Sequence, residues 1–122
     1  MSKTKDFLEA YIAPALNPEK TFCVGQILYY SLKAPCVLRI CLDTNYEETE
    51  IKGFRLQLIH KLNGELDSLY FSFKNDLGLD RYNLRRDCWC NAMLFDERTI
   101  ANGHIRPFIN RYLKVWGLLE EG

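Results

Sequence analysis

The stretch GFRLQLIHKLNGELDSLYFSF, residues 53–73, limits the fold more than any other part of the chain. Apolar and polar residues alternate on both sides of Asn63-Gly64. That dipeptide suits a two-residue type I′ turn, whose central residues both need positive φ. Such a turn pairs Leu62 with Glu65, and the register continues with Leu58 against Leu69, Leu56 against Phe71 and Phe54 against Phe73. The opposite face collects Arg55 with Ser72, Gln57 with Tyr70 and Ile59 with Ser68, while His60 stands opposite Asp67 near the turn. A hairpin with one such apolar face needs further strands or a helix over it to be stable.

The flanking sequence supplies both. TFCVGQILYYSL, residues 21–32, reads as one strand with Phe22, Val24, Leu28, Tyr30 and Leu32 on a shared face, interrupted by Gln26. After a turn at Lys33-Ala34-Pro35, CVLRICLD sets Cys36, Leu38, Ile40 and Leu42 against Val37, Arg39, Cys41 and Asp43. Residues 43–50 form an acidic loop. Before these strands, KDFLEAYIA (5–13) has helical spacing at Phe7, Leu8, Tyr11 and Ile12, with Thr4 as its cap and Pro14 as its end.

Residues 74–86 read as a loop closing in a short helical turn, and 87–95 as a fifth strand. Asn102-Gly103 predicts a turn, after which Pro107 opens a last helix. Phe108, Ile109, Tyr112, Leu113 and Trp116 form its apolar stripe, and Gly117 its C′ residue. The expected architecture is a single α+β domain over 1–122. It has an antiparallel sheet of about four to five strands, with the N- and C-terminal helices packed on one face.

At 122 residues the chain can bury roughly two thirds of the surface its unfolded form exposes, so no metal or disulfide staple is required. The N-terminal SKTKDFLEAY lacks the apolar run of a secretory signal, and no apolar run approaches a membrane span. Five cysteines, an odd number, fit free thiols in a reducing cytoplasm. Sixteen bases balance sixteen acids, which disfavours general nucleic-acid binding and weakens the repulsion between copies.

Chemistry-bearing residues are scattered. Cys88-Trp89-Cys90 has CxC spacing with no second knuckle, whereas zinc sites use CxxC pairs or paired histidines. Neither a metal nor a cofactor is therefore expected. A cysteine nucleophile would need His60 or His104 as its base, and the His60–Asp67 pairing could orient an imidazole. Phosphate-binding and hydrolase motifs are absent.

Residues 81–114 carry seven bases against three acids, a net +4, and six of the seven are arginine. Arg81, Tyr82, Arg85, Arg86 and Trp89 make a candidate binding patch, since guanidinium and aromatic groups together suit recognition of carboxylate, phosphate or ring. The expected function is a small cytosolic non-catalytic protein-binding module, of adaptor, chaperone-like or inhibitor type, using that surface. Homodimerisation through a sheet edge or the exposed hairpin face fits the same reading. The alternatives are a small-ligand-binding or cysteine/histidine-dependent enzyme domain, and a nucleic-acid-binding module.

Overall fold

The computed structural model describes residues 3–90 and 96–116. Its centre is a seven-stranded antiparallel sheet. The strands are β1 Thr21–Val24, β2 Ile27–Ser31, β3 Cys36–Thr44, β4 Glu50–His60, β5 Gly64–Ser72, β6 Tyr82–Asn83 and β7 Cys88–Trp89. The first five form a meander of neighbouring hairpins. One edge of β4 is shared: β5 takes Gly53 to His60 and β6 takes Glu50 and Ile51.

Two sources account for the strands beyond the expected four to five. Gly25, with φ 63°, breaks residues 21–32 into a hairpin in which Val24 pairs Ile27. Gly-first two-residue turns suit hairpins because glycine alone takes that conformation without strain. The fold-back inverts the face assignment, so Leu28 and Tyr30 are buried while Phe22 and Val24 point to the other side and are exposed. The loop after β5 supplies β6 in place of the expected helical turn. Of the expected strand 87–95, Cys88 and Trp89 are strand, and residues 91–95 lie outside the described residues.

The 53–73 hairpin forms, with its register moved by two residues. Its loop is Lys61-Leu62-Asn63, and Gly64, with φ 84°, opens β5 opposite His60. Three-residue loops ending in a left-handed glycine are the common alternative to the two-residue turn. The His60 Nδ1 accepts the Leu62 and Asn63 amides at 3.2 and 3.1 Å, which fixes the longer loop. A bulge then leaves Leu66 unpaired, so Leu58 faces Asp67, Leu56 faces Leu69 and Phe54 faces Phe71. Beyond the bulge the shift of two keeps residues 67–72 on their expected faces, but Glu65 turns to the outer face, where its carboxylate accepts from Gln57, and His60 is separated from Asp67.

Helices cover the face carrying Leu38, Ile40, Phe54, Leu56 and Leu58, all fully buried. The N-terminal segment runs as α1 Lys3–Phe7, a π-helical turn Leu8–Ile12 and a 3₁₀ turn Ala13–Ala15. Phe7, Leu8, Tyr11 and Ile12 face the core as their spacing predicts, but Thr4 is a buried residue inside the helix rather than its cap. At the other end α2 Glu97–Thr99, a π-helical stretch Ile100–Ile105 and α3 Arg106–Trp116 follow one another. Asn102-Gly103 is therefore helical, not a turn. Burial of Ile100, Ala101 and Ile105 outweighs the poor helix propensity of Asn-Gly.

The π stretch has a cause in Pro107. Proline lacks the N–H of a normal helical bond, and its ring clashes with the carbonyl four residues back. Arg106 instead bonds the carbonyl of Ala101, five residues back, which widens the turn. Ile109, Tyr112 and Leu113 are buried as expected, and Phe108 is half-buried. The side chain of Trp116 and Gly117 lie outside the described residues.

Candidate functional site

The sequence-derived patch does not assemble as one surface. Tyr82 and Trp89 are paired across β6 and β7 and both turn inward. Their rings meet edge-on at 5.4 Å within an aromatic cluster that includes Phe7, Tyr11 and Phe73. Outside it, the Arg81 guanidinium binds Glu50 at 3.0 Å and lies 3.9 Å from Asp80. Arg85 and Arg86 are exposed on the turn between the two strands, where the Asn83 carboxamide oxygen accepts both their amides. What remains available to a partner is an arginine turn without aromatic faces.

Below this turn, Lys3, Asp6, Tyr11, Tyr82, Asp87 and Glu97 line a polar cleft of about 330 Å³. Burial raises the Tyr82 phenol well above the ordinary tyrosine value, with Tyr11 beside it adding to the effect. Burial likewise raises Tyr11, while the Tyr82 hydroxyl beside it opposes the shift. Both phenols are held protonated, so they donate hydrogen bonds and cannot serve as bases at neutral pH. Among the described residues, no group of three or more His, Cys, Asp or Glu converges to hold a metal ion.

The thiols range from buried to exposed. Cys36 is buried, Cys23, Cys41 and Cys88 are half-buried, and Cys90 is exposed. Partial desolvation, then Asp80, raise the Cys90 thiol, which lowers its thiolate fraction. The Cys41 thiol donates to the Gln57 carboxamide at 3.6 Å. The register does set Cys36 opposite His60, but the His60 Nδ1 is engaged by the loop amides, and Asp67 accepts from the Tyr112 hydroxyl instead. Asp67 therefore does not orient the imidazole as a catalytic base requires. His104 Nδ1 lies 3.0 Å from the Leu77 carbonyl and ties the loop after β5 to the C-terminal helix.

An apolar groove lies elsewhere, between β5 and α3. Leu69 and Phe71 from β5, with Phe108, Tyr112 and Val115 from α3, line an apolar groove of about 250 Å³ flanked by Asp67 and Arg111. Phe71 and Phe108 close its floor edge-on at 5.3 Å, and the Arg111 guanidinium lies over Phe108 at 5.8 Å. Leu69 is 43% exposed and Val115 78% exposed, so the groove is open. Leu62 and Leu66 at the hairpin tip are exposed as well.

Beside the groove runs the free edge of β5, which pairs only β4 among the described strands. The Phe73 amide bonds the Lys52 carbonyl, so by antiparallel alternation Phe71 and Leu69 also bond toward β4. Ser68, Tyr70 and Ser72 then direct their amide and carbonyl groups outward. Asp76 satisfies those of Ser72, its carboxylate taking the amide and its own amide meeting the carbonyl. Among the described residues, the outward strand hydrogen-bonding groups of Ser68 and Tyr70 meet no neighbouring strand, and they lie beside the groove.

Sequence reading does not find this site because alternation places Leu69 and Phe71 in the core. The signal was present, however. GELDSLYFS contains no lysine, arginine or proline, the residues with which sheet proteins usually guard an edge. The opposite edge, β1, is only four residues long.

On the sheet's outer face a third depression of about 380 Å³ is lined by Cys41, Leu42, Asp43, Arg55 and Tyr70. The Tyr70 hydroxyl donates to Asp43 at 2.8 Å, Arg55 donates to the Ser68 hydroxyl, and its guanidinium lies 5.6 Å from the Tyr70 ring centre. These groups satisfy one another and brace the sheet. No helix among the described residues is long and apolar enough to cross a membrane. Compared with known protein families, curated proteins and solved structures, this chain has no match.

Proposed function

We propose that the chain is a non-catalytic protein-binding module that receives an extended segment along the free edge of β5. The observation that carries this reading is the coincidence of outward strand groups at Ser68 and Tyr70 with the apolar groove beside them. Strand addition uses the two together: main-chain bonds supply affinity, and alternate side chains of the ligand enter the groove. The five unpaired thiols support a reducing, cytoplasmic setting. The binding surface is moved from the arginine turn to β5 and α3, because Tyr82 and Trp89 belong to the core.

Selection from a displayed library of nine-residue peptides tests the proposal. Enriched peptides should alternate apolar residues, shift the Ser68 and Tyr70 amide resonances, and lose binding to the Leu69→Glu protein. Peptides that instead shift Arg81, Arg85 and Arg86, or no enrichment at all, would remove the β5 edge from consideration.

A further inference from the structure

Resting on that reading, we infer that the segment received by the β5 edge is β5 of a second copy of this chain, in a two-fold antiparallel pairing. The strand is self-complementary in three respects. Its free hydrogen-bonding residues, Ser68 and Tyr70, are two apart, so an axis through Leu69 pairs Ser68 of each copy with Tyr70 of the other. Leu69 then meets Leu69 of the second copy at the centre, and its exposed side chain is covered. A two-fold interface is isologous and closes on itself, so association ends at a dimer rather than a fibre.

Charge supports the same occupant. β5 carries only acids, Glu65 and Asp67, both in its first half, and no base. α3 carries Arg106, Arg111 and Lys114 and no acid. Antiparallel pairing about Leu69 brings Asp67 of one copy across from Phe71 of the other, where Arg111 lines the groove. No like charges would then face each other across the new ladder, and Asp67 of one copy would approach Arg111 in the groove of the other. The zero net charge of the chain adds no long-range repulsion between copies.

Further observations fix the extent of the pairing. Asp76 already occupies the outward groups of Ser72, which ends the ladder on one side. The bulge at Leu66 ends it on the other. The free edge is therefore a short, bounded template centred on Leu69.

Sedimentation of the full chain over a concentration series tests this, with three variants. Ser68→Pro deletes an outward amide while leaving the β4 ladder intact. Ser68→Ala removes only the hydroxyl that Arg55 contacts, and Leu69→Lys sets like charges on the axis. The expected result is a dimer for wild type and Ser68→Ala. Its dissociation constant should rise roughly tenfold or more in Ser68→Pro and Leu69→Lys. Circular dichroism should show the native fold in both.

Wild type remaining monomeric up to about millimolar concentration would overturn the inference, as would a dimer that survives both disruptive variants. Slow amide exchange at Ser68 and Tyr70 that does not depend on concentration would also overturn it, by showing the edge covered within one chain. If a monomeric wild type still binds library-selected peptides at β5, the second copy fails and the binding module stands. If neither association nor peptide binding occurs, both fail.

Discussion

Gly53 shows how a single missing methyl group can decide local architecture. A Cβ at this position would meet the Phe71 carbonyl oxygen and come within 2.7 Å of the Tyr70 hydroxyl. The Tyr70 ring therefore lies across the strand at Gly53, with its hydroxyl on Asp43. Gly53→Ala is expected to destabilise the fold by about 1–3 kcal/mol through overpacking, read from urea denaturation. Tyrosines also set an alkaline limit. Burial and the Asp43 hydrogen bond push the Tyr70 phenol up to about 12, and burial raises Tyr11 and Tyr82. In the unfolded chain these phenols lose their protons near the ordinary value of about 10, while the folded chain retains them. Below that pH their contribution to stability is fully present. It is lost as pH rises from about 10 through the folded values, because the native state then binds more protons than the unfolded one. A melting temperature that falls steeply above about pH 10, together with delayed tyrosinate absorbance, is the expected signature.

At the scale of elements, Gly103 is the counterpart of Gly53. It sits in the π-helical stretch with nothing near its absent Cβ. Gly103→Ala should raise stability by about 0.5–1 kcal/mol in the same denaturation assay, because glycine loses more backbone freedom in a helix than alanine. The element map was largely legible in the sequence. Alternating apolar residues placed β3, β4 and β5, and helical spacing placed α1 and α3. What failed were the junctions, each through a side chain acting at a distance from the local pattern. His60 closes a three-residue loop through two amides, which Asn63-Gly64 alone does not reveal. Gly25 folds one apparent strand into two, and tertiary burial of Ile100 and Ile105 keeps Asn102-Gly103 helical. The site was less legible than the fold. Aromatic and arginine residues adjacent in sequence suggested a shared surface, but β6 and β7 turn Tyr82 and Trp89 inward while Arg85 and Arg86 stay outside.

For the whole molecule, the aromatic cluster is the clasp between the N-terminal helix and the segment that closes the sheet. Trp89 packs against Phe7, Tyr11, Phe73 and Tyr82, and Lys3 reaches the Leu84 carbonyl at 3.0 Å. Trp89→Ala is expected to cost about 3–5 kcal/mol by calorimetry or denaturant titration, a large share of the stability of a domain this size. The branching of β4, which gives one edge to both β5 and β6, also has a temporal consequence. Strands β1 to β5 join only neighbours in the chain, so their loops close at little entropic expense. The β6 contact bridges a longer loop than any hairpin of the meander, and the ring contacts between Phe7 and Trp89 span most of the polypeptide. A growing chain leaving the ribosome could assemble the meander early against its N-terminal helix, yet the part of the apolar face that the C-terminal helix covers would wait, bare, for residues not yet synthesised.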